Sequence, residues 1–356
     1  MAVQRFDILV FGAGHAGTAF AIHAANGGAR VAVVDRRRRL PRIGEIVEAA
    51  LQAPLVRLGV WGTFLRDDHL RATGTLSAWG DAVPTFRSAV INPFGGGWFV
   101  DRERFDAMFV SEAIARGVVF FETDARPTAG AAGYEVMAPG DGVLVAPLAI
   151  EATGRHGFAV GPSARTLQDD LVAVMAYAPG GSDQQFRLEA VDEGWWYSAP
   201  LPGARQVLTL MTSMRLLPRD RSERMSFWRR SLEHCDLIVG PPRATQLVLA
   251  VFPATGGLRR VLYGDRWLAI GDAAAAYDPL HGFGIVAALT KGIAAATLLT
   301  LPGSPRSAFD LYAETEHTAF GKYDRTRRHL YAQAASGWGK SAFWREYSTL
   351  GAVRTH

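Results

Sequence analysis

The run Ile8-Leu-Val-Phe11-Gly12-Ala-Gly14-His-Ala-Gly17-Thr18-Ala-Phe-Ala-Ile-His-Ala-Ala25, carried through Gly27-Gly28 into Val31-Ala-Val-Val34-Asp35, decides the fold. Ile8–Phe11 is apolar at every position, which suits a strand buried on both faces. The apolar stretch after Gly17 is long enough for a helix, Gly27-Gly28 stop it, and Val31–Val34 form a second buried strand. Strand, glycine turn, helix, strand and a terminal acid make a βαβ unit of the length a dinucleotide site requires. Gly12, Gly14 and Gly17, with the small Ala13 and Ala16 between them, allow a tight turn and let a pyrophosphate approach the helix start. Asp35 is placed to accept hydrogen bonds from a ribose. Asp35 disfavours a 2′-phosphate, whereas the run Arg36 to Arg39 would attract one or form a solvated basic loop, so the dinucleotide stays open here.

A second glycine constellation narrows the choice. Trp267-Leu-Ala-Ile270-Gly271-Asp272 reads as a buried strand ending in an acid, and Asp278-Pro279-Leu-His281-Gly282-Phe283-Gly284-Ile285 as a loop feeding another helix. An acid at a strand end can hold the hydroxyls of a ribityl chain. A helix start can stabilise the negative charge that gathers on a flavin ring edge during reduction.

The 356 residues include 38 Lys and Arg against 34 Asp and Glu, a net charge of +4 that gives little reason to expect nucleic acid. Apolar residues make up 49% and charged residues 20%, as in ordinary globular proteins. Cys235 is the only cysteine, so no internal disulfide, zinc cluster or dithiol pair can form. The only lysines are Lys291, Lys322 and Lys340; every other basic residue counted is arginine. The N-terminus lacks the layout of a signal peptide, and Lys291 interrupts the most apolar stretch, Gly284 to Leu301. A soluble, cytoplasmic protein without a membrane partner is therefore expected.

Elsewhere the pattern predicts a helix-like segment over Val47 to Leu58 and an amphipathic helix over Arg104 to Ala115. A β-meander is expected between Val118 and Ile150, with strands over Leu171 to Tyr177, Gly194 to Pro200 and Gln206 to Met211. A polar helix follows around Ser222 to His234, then strands near Leu247 and Trp267, and a helical region from Ser304.

At these residues the chain resembles the FAD-dependent monooxygenases of the para-hydroxybenzoate hydroxylase type. Gly12, Gly14, Gly17 and Asp35 match that family's ADP-binding motif, Ala152-Thr153-Gly154 its Ala-Thr-Gly element, and Gly271-Asp272 its ribityl-binding motif. Asp101-Arg102-Glu-Arg-Phe-Asp106 is similar to a helix start whose arginine lies along the cofactor, which implies Arg102 as a contact. The resemblance implies an α/β chain. A Rossmann-like FAD-binding domain of the glutathione-reductase-2 type would use residues 1–70, 100–165 and 255–305, an interleaved substrate sheet 71–99 and 166–254, and a helical C-terminus 306–356. Within the family, Gly44-Glu45, Asp278-Pro279-Leu280 and Gly194-Trp-Trp-Tyr-Ser-Ala-Pro200 look like the tryptophan-halogenase-like branch. The spacing Trp338-x-x-x-x-Phe343-Trp344 is similar to flavoproteins that hydroxylate aromatic groups, including those that mature tryptophan-derived quinone cofactors.

Halogenases of this branch need a lysine after the Gly-Glu element, and here none precedes Lys291. His281 stands where they carry a glutamate, and Gly282-Phe283 where they carry Ser-Thr, so halogenation is disfavoured. Hydroxylation of an indole or phenol through a flavin C4a-hydroperoxide asks the protein for a dry pocket, ring placement and a base. His281 could take or return a proton, or simply bond the backbone, while Glu45 could orient substrate or lie on the surface. Trp195 and Tyr197 point to one face of their strand and Trp196 to the other, so only one set can line a pocket. Trp98 and Met211 are further candidate substrate contacts, with core packing as the alternative. The expected participants are FAD, O2, electrons from NAD(P)H or a partner flavin reductase, and an aromatic group that is free or carried on a peptide or protein. A dehydrogenase or reductase of the geranylgeranyl-reductase type shares the glycine motifs and is the competing reading.

Overall fold

The computed structural model describes residues 2–36, 46–80, 83–91, 95–131, 133–140, 142–157, 159–181, 183–300 and 305–349. Gly44, Glu45 and Arg37 to Arg39 lie outside them, as does the side chain of His281.

The opening motif folds as its sequence dictates. Ile8–Phe11 pairs in parallel with Val31–Asp35 on one side and Leu148–Glu151 on the other. The full six-stranded sheet runs Tyr263–Gly264, Trp267–Ala269, Leu148–Glu151, Ile8–Phe11, Val31–Asp35, Val119–Glu122. Its five parallel strands end along one edge, so Phe11, Asp35, Glu151 and Ala269 deliver their following loops to a common place. Side chains alternate across the sheet with period two. Ile8 and Val10 enter a core shared with the helices His15–Asn26, Arg102–Ala115 and Gly284–Thr300. Leu9 and Phe11 face a second core that includes Val136, Leu144 and Ala146. Those three belong to a four-stranded sheet formed by Val3–Arg5, Gly142–Ala146, Gly133–Ala138 and Thr128–Gly130.

A seven-stranded sheet runs Ala250–Pro253, Leu171–Pro179, Arg205–Ser213, Gly194–Leu201, Gln185–Val191, Gly74–Ala78, Thr85–Ser88. One face carries Trp195, Tyr197, Met175 and Met211 and is covered by the C-terminal helices through Tyr331, Phe343, Trp344 and Tyr347. The opposite face carries Trp196, Leu208 and Leu210 and packs on Trp228 of the helix Arg221–Glu233. The helical C-terminus consists of Pro305–Ala335 and Ala342–Thr349.

Local expectations differ from the structure in instructive places. Ile46–Val47 is a short strand paired with Trp98–Phe99, and the helix begins only at Gln52 with Pro54 in its first turn. An available strand partner outweighs helical periodicity there. The helix expected from Arg104 starts at Arg102, because the Asp101 carboxylate accepts from the backbone N–H groups of Glu103 and Arg104 at 3.0 and 3.3 Å. The strand expected near Leu247 is Ala250–Pro253.

Candidate active site at the strand ends

The glycine turn is packed from beneath and open above. A methyl group on Gly12 would lie 2.4 Å from the Ala152 carbonyl oxygen, and one on Gly17 would lie 2.0 Å from the Gly12 carbonyl oxygen. At Gly14 a methyl group would meet nothing within 4 Å. The open side is thus where the helix His15–Asn26 starts, with its first N–H groups and partial positive charge available to an anion. Ala13 and Ala16 pack into the core beneath, and Ala16 touches the second motif: a methyl on Gly271 would fall 2.5 Å from its Cβ.

Distant segments converge on this turn. Asp106 lies 2.9 Å from His15 Nε2 and 3.3 Å from Arg102 Nη2, so the arginine is tied to the residue that follows Gly14. Asp35 ends its strand at the same edge, and the neighbouring Arg36 pairs with Asp124 at 3.3 Å. Thr153 donates its hydroxyl to the fully buried Glu151, which also accepts from the Val160 N–H at 2.7 Å. Asp272 remains partly exposed, with Arg155 Nε 3.5 Å from its carboxylate, while Arg165 donates to the Asp272 carbonyl at 2.7 Å. A mouth with an open glycine, a helix start, an acid for each polyol and nearby guanidinium groups fits the elongated polar body of FAD.

The loop that should face the flavin ring is a short 3-10 turn, Pro279–His281, followed by Gly282 in the left-handed region (φ 67°) and the helix start at Gly284. Phe283 is 43% exposed, and Ile285 packs against the cofactor-side core. Asp278 fixes the turn: its Oδ1 accepts from the Leu280 N–H at 2.8 Å and its Oδ2 from the Tyr331 hydroxyl at 2.8 Å and Arg327 Nε at 3.1 Å. Arg327 also holds Asp169, and all three side chains are essentially buried. Trp195 Nε1 donates to the Tyr331 hydroxyl at 3.0 Å, which links the substrate sheet to the loop.

Lys291, which interrupts the apolar stretch of this helix in the sequence, is buried against Glu316 (2.6 Å) and the Tyr277 hydroxyl (2.8 Å). Burial pulls its pKa down, but the Glu316 carboxylate and Tyr277 outweigh that and leave it raised.

The candidate substrate residues separate. Trp195, Tyr197 and Met211 share one cluster with Ile46, Phe99 and Leu280, and Leu280 belongs to the turn Pro279–His281. Trp196 lies on the opposite face with its ring against Trp228 and its Nε1 donating to Ser231 Oγ at 3.0 Å, so it turns away from that loop. Trp98 packs in the core shared with the helix His15–Asn26, beside Trp61 and Phe64 and beneath the Arg71 guanidinium at 4.5 Å.

Glu48 carries no motif and is missed by sequence reasoning. Its Oε1 is 3.4 Å from where a methyl group on Gly282 would lie, and burial pushes its pKa up to about 7. No hydrogen-bond or ion-pair partner reaches its carboxylate among the described residues. A glutamate close behind Gly44-Glu45 is the only sequence signal that could have pointed to it.

No protein-family profile matches the chain. LodB of Marinomonas mediterranea, named as an FAD-dependent oxidoreductase, is 24% identical over 372 residues, which cover 99% of each chain. The menaquinone reductase of Mycolicibacterium smegmatis is 30% identical over 328 residues, 84% of this chain and 77% of its own. Among solved structures, the peptidyl tryptophan dihydroxylase QhpG, essential for tryptophylquinone cofactor biogenesis, aligns with a TM-score of 0.80 at 24% identity. That alignment covers 97% of this chain and 79% of QhpG. The flavin-dependent halogenase CmlS aligns with a TM-score of 0.82 at 21% identity, over 97% of this chain and 68% of its own.

Proposed function

Since the chain belongs to the FAD-dependent oxidoreductases, the family of the menaquinone reductase it matches, we propose that it is a monooxygenase hydroxylating an indole or phenol ring, free or carried on a peptide or protein. The observation that carries this reading is the continuity of one apolar, aromatic cluster from Trp195, Tyr197 and Met211 to Leu280 in the ring-facing loop. A ring seated there would be shielded from water and stacked or edged against aromatic neighbours. The fold likeness to QhpG supports the same reading, and the absence of lysine before Lys291 argues against the halogenase chemistry of the equally similar CmlS.

Bound FAD, reduced by NAD(P)H or by a partner flavin reductase, would supply the two electrons that activate O2 for transfer of one oxygen atom to the ring. The chain's own part is binding and placement. The Gly12–Gly17 turn and helix start would hold the pyrophosphate, Asp35 the adenosine ribose and Asp272 the ribityl chain, with Arg102 alongside and the Gly284 helix start facing the ring edge. Asp278, held by Arg327 and Tyr331, keeps the ring-facing loop in one shape.

The test is incubation of FAD-loaded protein with a reductant, labelled dioxygen and either indole or a tryptophan-containing peptide. Label in the product with either substrate supports the proposal; electron transfer without label with both overturns it. The likeness to menaquinone reductase favours a second reading, reduction of an isoprenoid-bearing substrate, which predicts turnover in the absence of oxygen.

A further inference from the structure

Glu48 stands at the meeting of the two cores. The strand that precedes it, Ile46–Val47, pairs with Trp98–Phe99, and Ile46 packs with Leu280 and the substrate-side cluster. Its backbone is fixed: the Glu48 carbonyl accepts from the Leu51 N–H at 3.0 Å, and a methyl on Gly97 would lie 3.1 Å from the Glu48 Cα. The side chain does not cap the turn Ala49–Leu51 that it precedes. It reaches instead over Gly282, beside the loop that faces the ring. A half-buried carboxylate placed over a glycine, with no donor among the described side chains, has room for a donor on a bound molecule.

We propose that Glu48 is a catalytic residue of the hydroxylation, the group that accepts the proton from the substrate's ring N–H or O–H. The proposal rests on the hydroxylase reading above. The substrate's N–H or O–H bond breaks, its electron pair enters the ring, and the proton passes to a Glu48 carboxylate oxygen. The enriched ring carbon then bonds to one atom of dioxygen as the O–O bond breaks; two electrons from the reduced cofactor and two protons carry the other atom to water, while the ring carbon loses its hydrogen as a proton and the ring N or O regains one. The proton leaves Glu48 for solvent before the next turnover.

A base serves best when its pKa lies near the working pH, and burial alone brings Glu48 to about 7. The charged groups on the surrounding elements are engaged elsewhere. Asp278 of the loop is held by Arg327, Lys291 of the following helix by Glu316, Arg102 by Asp106, and Arg57 of the helix Gln52–Leu58 reaches Thr297. Nothing charged among the described side chains therefore competes for the carboxylate's proton.

The test compares FAD-loaded wild type, Glu48→Gln and Glu48→Asp, with indole and a tryptophan-containing peptide as probes. In wild type, kcat should fall as pH drops through about 7, because the base must be ionised. Glu48→Gln should lose about 100-fold in kcat together with that limb, and Glu48→Asp should keep a displaced limb. FAD content and the flavin absorbance spectrum should match wild type in both variants, which separates lost chemistry from lost folding. Independently of turnover, an infrared band of a protonated carboxyl should appear as pH falls through about 7 and be missing in Glu48→Gln. Label incorporation from dioxygen by wild type scores the hydroxylase reading separately. Its absence with both probes overturns that reading and the role of Glu48 with it. Label incorporation whose rate and pH limb survive in Glu48→Gln, or a carboxyl that stays ionised to its ordinary range, overturns the role of Glu48 alone.

Discussion

Glu48 and the three glycines of the opening motif show how much a single position determines here. Glu48 binds its proton at about pH 7 in the folded chain against 4.5 ordinarily, so between those values the unfolded chain releases a proton that the folded chain keeps. Folding is therefore progressively disfavoured as pH rises from 4.5 to 7, and the penalty is complete above 7. Glu48→Gln removes it. The variant should be more stable than wild type at pH 8, by about 1–2 kcal/mol once the group's partial exposure is discounted, and equal to it near pH 4. Denaturant titrations at the two pH values check the sign. The glycines divide differently. Gly17→Ala drives a methyl into the Gly12 carbonyl and should destabilise the protein by about 1–3 kcal/mol. Gly14→Ala meets open space at an ordinary φ of −74°, so the cofactor-free protein should melt as wild type does while FAD affinity falls at least about tenfold. Equal losses of stability in the two variants would contradict this division.

At the scale of elements, the buried arginine of the long C-terminal helix ties three parts of the chain together. Arg327 sits between Asp169, which leads into the seven-stranded sheet, and Asp278, which shapes the Pro279–His281 turn. Arg327→Ala leaves two buried carboxylates without their cation and should destabilise by about 3–5 kcal/mol in chemical denaturation. Tyr331→Phe removes one donor to Asp278 and the acceptor of the Trp195 N–H, and about 1 kcal/mol is expected. The strand Gly194–Leu201 offers a further contrast between its faces. Trp196→Phe should lower stability without altering KM for an aromatic substrate, because Trp196 packs on Trp228 away from the loop. Tyr197→Ala should raise KM, and steady-state kinetics with either probe separates the two.

For the whole molecule, local signals and distant ones part company. The strand Ile8–Phe11, the helix His15–Asn26, the strand ending at Asp35 and the Gly271-Asp272 strand end are legible because each depends on residues within a turn or two of one another. The tie of Arg102 to His15 through Asp106, the burial of Lys291 on Glu316, and the outward turn of Trp196 depend on partners far along the chain, which periodicity does not reveal. Glu48 is the plainest case. Alone it reads as one more polar residue after Gly44-Glu45; only the fold brings Gly282 beneath it. No helix among the described residues is long and apolar enough to cross a membrane.

The Arg327 clasp also orders events during synthesis. The Pro279–His281 turn leaves the ribosome well before the arginine and tyrosine that give Asp278 its partners, and until they emerge that carboxylate has only water and its own turn for company. The glycine turn waits as well, since Ala16 packs on Gly271 and Gly292 and its helix shares a core with Gly284–Thr300. A nascent chain halted before Arg327 would therefore hold every strand of both large sheets and yet leave Asp169 and Asp278 without their shared cation.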